Sequence, residues 1–151
     1  MSRNREFLDR VSKIIWSKRP RTLEYVINSK EYAKIGDALV NLAAAISSEA
    51  FETSTKLHSK VNNRFLKKAA RSSTLNEVLR RRMDTHDIGN AVEALLAFGW
   101  LFGYVSLEDI VASLSVPEKE VIKMAQLVDK ILEEADKSFE GKKRDKDFGR
   151  R

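Results

Sequence analysis

Apolar residues recur at i, i+3, i+4 and i+7 along nearly all of this 151-residue chain, and no segment alternates convincingly like a strand. That periodicity points to an all-α fold. Helix breakers are scarce as well, since Pro20 and Pro117 are the two prolines and only six glycines are spread along the sequence. The length is usual for one domain with one real core, roughly 100–200 residues. We therefore expect a bundle of about seven helices over residues 1–140. The remainder, GKKRDKDFGRR at 141–151, has no apolar periodicity and is expected to be a disordered basic tail.

Phe7, Leu8, Val11, Ile14 and Ile15 give a first amphipathic helix ending near Lys18, and Pro20 opens a short second one through Leu23, Val26 and Ile27. A long alanine-rich helix from about Glu31 to Phe51 is apolar on more than one side, which makes it central. A loop over Glu52 to Ser59 leads to a helix carrying Phe65, Leu66, Ala69 and Ala70. Thr74 with Glu77 fits a capping box for a short helix. A second strongly apolar helix is expected from about Asp87 to Tyr104. Ser106 with Asp109, and Ser115 with Pro117 and Glu118, mark the starts of the last two helices, the final one running to about Ser138.

The net charge of +6 attracts polyanions, but its distribution says more. Between Thr53 and Arg82 stand Lys56, Lys60, Arg64, Lys67, Lys68, Arg71, Arg80, Arg81 and Arg82 against Glu77 alone, nine minus one, or +8. This concentration reads either as a solvated helical face or as a phosphate-binding surface. The absence of cysteine and of an apolar leader fits a cytoplasmic protein. The longest apolar run, Ala94 to Val105, is too short for a bilayer core that needs about 20 residues, so no membrane partner is expected. No Gly-rich phosphate loop, zinc-spaced ligand set or serine triad is visible.

Two carboxylates sit in the most hydrophobic helices: Asp37 in KIGDALVNLAAAI and Glu93 in IGNAVEALLAFGWLFG. An unpaired buried charge is costly, so each is either a helix-edge group paired with a nearby base or part of a site. Asn90 and Glu93 are i and i+3 and share a helix face. His86, in DTHDIGN, reads as a cap or hydrogen-bonded surface group rather than a base. Phe98, Trp100, Phe102 and Tyr104 read as core or subunit interface.

Ile35-Gly36-Asp37-Ala38, Val61-Asn62-Asn63 followed by Leu66, and Asn90-Ala91-Val92-Glu93-Ala94-Leu95 resemble, in order and spacing, three motifs of the ribonuclease III catalytic domain. The resemblance covers about Arg21 to Leu114, and the nearest likeness is to compact archaeal members with no separate double-stranded-RNA-binding domain. It implies a homodimeric endoribonuclease that hydrolyses double-stranded RNA with Mg2+ or Mn2+. Asp37, Glu93 and Asn90 would form the catalytic and metal set, with Lys60, Asn63, Arg64, Lys67, Arg80, Arg81 and Arg82 binding RNA. Asn63 is either a substrate contact or a helix-start residue.

Two positions depart from the family's fullest pattern. Ala33 stands where long members have Glu, and Asn90 where the family has Asp, which leaves two formal carboxylates. Glu31, Asp84 and Asp87 are the candidates to compensate, Asp87 first because it lies one turn before Asn90. A catalytically weak or inactive RNA-binding dimer is therefore the second reading. A third is a DNA-binding helix-turn-helix over Ser106 to Ala125, although Glu118 and Glu120 make its recognition helix a poor phosphate surface.

Overall fold

The computed structural model describes residues 5–7, 9–12, 20–50, 61–79 and 83–148, with 140–148 as backbone alone. Residues 5–7 and 9–12 are helical, and no strand occurs among the described residues. The following helices are α1 (Leu23–Ile27), α2 (Lys30–Ala50), α3 (Asn63–Arg71), α4 (Leu75–Val78), α5 (Thr85–Leu101), α6 (Leu107–Ser113) and α7 (Glu120–Phe148). The all-α expectation therefore holds.

Local chemistry sets most of the ends. Thr22, Asn62, Asp84 and Ser106 each accept a backbone N–H in the first turn of α1, α3, α5 and α6, and Ser106 and Asp109 form the expected reciprocal box. Ser29 Oγ accepts from the Tyr32 N–H at 3.2 Å and so serves the start of α2. At the end of α5, Gly103 takes φ of 78°, and the Tyr104 and Gly103 N–H groups return to the Gly99 and Trp100 carbonyls at 2.8 and 3.3 Å. That paired return closes the helix before Tyr104.

Three expected boundaries change. Thr74 makes no side-chain cap to α4; its N–H and Oγ1 both donate to Asp129 Oδ1 at 2.8 Å, so α4 is held by a carboxylate from α7. The last helix begins at Glu120 rather than after Ser115, because Glu118 turns to φ of 66° and interrupts the chain. It then runs to Phe148, through 141–148, where disorder was expected. Lys and Arg, abundant there, have good helix propensity, so a helix nucleated by packing propagates into a stretch without apolar periodicity.

α5 is the central element. It packs most extensively on α2 and also meets α1, α3 and α7. Ile88, Gly89 and Ala91 through Gly99 are buried, so this helix is apolar nearly all round except where half-buried Asn90 and buried Glu93 interrupt it. Phe98 is 2% exposed, its ring set against those of Tyr32, Phe102, Tyr104 and Phe139 at centroid distances of 5.0 to 6.4 Å. Trp100, by contrast, is exposed. Met124, Leu127, Val128, Ile131 and Leu132 bury α7 in the same core. This placement removes the helix-turn-helix reading: the would-be recognition helix is a long core helix rather than a short one presented to a groove. No helix among the described residues is long and apolar enough to cross a membrane.

Candidate active site

The backbones of α2 and α5 touch at one place. A Cβ on Gly36 would lie 1.8 Å from the Glu93 carbonyl oxygen, so only glycine permits this crossing. The next residue, Asp37, is thereby brought against the Glu93 side chain, and the two carboxyl groups hydrogen-bond. Glu93 is 6% exposed, while Asp37 is exposed at the rim. Burial first, and then the Asp37 charge and hydrogen bond, push the Glu93 carboxyl up from 4.5 to about 8. At neutral pH the pair holds a proton between two groups that would each be ionised in water.

A second glycine admits the third helix. A Cβ on Gly89 would lie 2.2 Å from Asn63 Oδ1, so α3 delivers Asn63 directly onto α5. Asn62 makes the side-chain cap of α3, and Asn63 is the first residue of that helix. Asp37, Asn63, His86, Asp87, Asn90 and Glu93 all line one cleft of about 820 Å³ between α1, α2, α3 and α5. The sequence-predicted carboxylates and both asparagines are thus brought together.

The other expected residues divide. Glu31 accepts from Ser29 Oγ at 3.2 Å and faces a separate hollow, and Asp84 is used as the α5 cap, accepting from the Asp87 N–H at 2.7 Å. Neither lines the cleft. Asp87 does, yet no group of three or more His, Asp or Glu side chains among the described residues converges as a metal site. Arg64, Lys68 and Arg71 are exposed on α3, and Lys67 donates to Thr85 Oγ1 at 3.3 Å. Lys60, Arg80, Arg81 and Arg82 lie outside the described residues.

Lys30 and Lys34, outside the candidates drawn from the sequence, also line the cleft beside Asp37. Their signal was present in the i, i+4, i+7 spacing of Lys30, Lys34 and Asp37 on one helix. His86, read from the sequence as a cap or surface group, lies in the cleft with its two ring nitrogens near the Asn63 and Asn90 amides.

A family model described as ribonuclease III matches residues 30–137, which covers α2 through most of α7 and more than two thirds of the chain. The chain belongs to the ribonuclease III family. The match contains both carboxylate-bearing helices and the crossing between them, so the cleft stands on the family's endonuclease-type helical domain. Comparison with curated proteins and with solved structures returned no match.

Proposed function

We propose that this ribonuclease III-family domain hydrolyses phosphodiester bonds of double-stranded RNA at the α2/α5 cleft with one divalent cation, Mg2+ or Mn2+. The observation that carries the reading is the Asp37–Glu93 pair, two carboxyl groups forced together by the Gly36 crossing. Such a pair is stabilised by facing positive charge. The donors fit a hard cation: two carboxylates and the Asn90 amide oxygen are oxygen ligands, and Mg2+ keeps several waters while using only one or two carboxylates. Asp87 stands at the rim as a further oxygen donor. Bound there, a divalent cation supplies neutralisation of the phosphoryl oxygens and an acidified water.

The protein's own groups do the rest. Glu93, with its carboxyl raised towards neutrality in the cation-free cleft, would release its proton as the cation binds and serve as a carboxylate ligand. Lys30 and Lys34 line the same cleft and would offer ammonium groups to the phosphates of a bound duplex. Arg64, Lys68 and Arg71 extend positive charge outward along α3 from Asn63, and Lys60, Arg80, Arg81 and Arg82 would continue it. A second copy supplies the other strand's site, docking on α2 through Leu42 and Ile46, exposed apolar residues one turn apart.

The test is a labelled RNA duplex incubated with the protein and Mg2+ or Mn2+, beside chelator and beside Asp37→Asn. Cleavage that requires the cation and disappears in Asp37→Asn, while duplex binding remains, supports the proposal. A duplex that is bound yet stays intact overturns hydrolysis in favour of an RNA-binding dimer. That second reading draws on the neutral Asn90 and on the lack of a three-acid cluster among the described residues.

A further inference from the structure

The imidazole of His86 stands between two carboxamides. Its Nδ1 is 3.1 Å from the Asn63 amide nitrogen and its Nε2 is 3.3 Å from that of Asn90. His86 and Asn90 are one turn apart on α5, whereas Asn63 opens α3, so the ring ties two helices together at the cleft. All three side chains line it. Gly89 is what lets Asn63 come so near.

A neutral imidazole offers one N–H donor and one lone-pair acceptor, whereas a carboxamide offers NH2 on one side and oxygen on the other, exchanged by a half-turn of its last torsion. Two carboxamides therefore satisfy one neutral ring only if they turn opposite sides to it. The ring couples their orientations. In one arrangement Asn90 donates its NH2 to Nε2, Nδ1–H donates to Asn63 Oδ1, and the Asn90 oxygen is left for the cleft. In the other, the cleft receives the Asn90 NH2. The second amide atom of Asn63 lies against Gly89 in both cases. A hydrolytic cleft must meet a cation beside Glu93, a need that the first arrangement matches and the second opposes.

We infer that His86 is a positioning residue, held as the Nδ1–H tautomer by Asn63, that turns the Asn90 oxygen toward the cation beside Asp37 and Glu93. This rests on the proposed cation-dependent reading. An aspartate at position 90 has two equivalent oxygens and needs no such orientation, which gives the idea a signature that a ligand or a packing residue lacks.

Two measurements on the full chain test it. Mn2+ binding is followed by electron paramagnetic resonance in the parent, His86→Ala, Asn90→Asp and the double variant. Loss of an orienting partner commonly costs 10–100-fold in metal affinity, so His86→Ala is expected to weaken Mn2+ binding roughly tenfold in the parent and to have little effect in the Asn90→Asp background. An equal factor in both backgrounds, the mark of a direct ligand, or no effect in the parent overturns the inference. The second measurement needs no substitution: 15N NMR of the His86 ring in excess Mg2+, at a pH where the ring is neutral, should show Nδ1 protonated and Nε2 bare. Protonated Nε2 or an average of the two overturns it. An Nδ1–H ring in a protein that binds neither cation leaves the amide orientation standing and removes the metal reading instead.

Discussion

Replacing Glu93 by Gln should make the protein more stable at alkaline pH and leave it nearly unchanged in acid. The Glu93 carboxyl sits at about 8 in the folded chain against 4.5 in the reference state, so its folded-state value is raised. Below about 4.5 both states are protonated and the group costs nothing. As pH rises from there to about 8, the unfolded chain releases its proton while the folded chain keeps it, and stability is lost across that window. At about 1.4 kcal/mol per pH unit the ceiling of that loss is about 5 kcal/mol. The carboxyl opens on a solvent-accessible cleft, which reduces the expected figure to about 2–3 kcal/mol. Gln keeps the shape and a donor toward Asp37 but cannot ionise. For a chain of this size, about 2–4 °C per kcal/mol gives a midpoint higher than the parent's by roughly 4–12 °C at pH 9, and equal to it at pH 4. Thermal unfolding of both proteins across pH, followed by circular dichroism in chelator, reads the difference directly. Parallel curves would refute the buried-pair argument.

Gly36→Ala should lower stability by about 3 kcal/mol or more, because its Cβ meets the Glu93 backbone and not a movable side chain; a midpoint within 2 °C or so of the parent's would contradict the close crossing. Light scattering at micromolar concentration should give a dimer mass that Leu42→Glu with Ile46→Glu converts to monomer, and a monomeric parent removes this interface. Asp129→Ala should cost about 1–2 kcal/mol by releasing the Thr74 N–H and hydroxyl, measured by denaturant unfolding, with an unchanged midpoint counting against the tertiary cap.

The sequence carried the helices because apolar periodicity and Ser, Asn and Asp caps are local properties. Asp37 and Glu93 stood out for a similar reason, since a carboxylate within Ala-, Leu- and Phe-rich turns needs a partner. The identity of that partner was not local. Gly36 and Gly89 had to be seen against α5 and α3 before their role in bringing Asp37 to Glu93 and Asn63 to His86 was evident. Thr74 was misread for the same reason: its bond to Asp129 spans 55 positions, and the local Thr74–Glu77 pattern was the wrong guide. The end of α7 failed differently, because periodicity reports packing and a helix can outrun its packed part. His86 looked like a cap because it sits near a helix start, but Asp84 already fills that place.

Cleavage of an RNA duplex by Asn90→Asp, measured beside the parent in Mg2+, tests most directly whether Asp37, Asn90 and Glu93 form a hydrolytic site. The substitution adds one charged oxygen ligand next to an existing pair, and each tenfold in rate corresponds to about 1.4 kcal/mol of transition-state stabilisation. The account predicts a rate higher by roughly one to three orders of magnitude, abolished again by Asp37→Asn in the same background. A folded Asn90→Asp protein that binds duplex and cuts it no faster than the parent would contradict it.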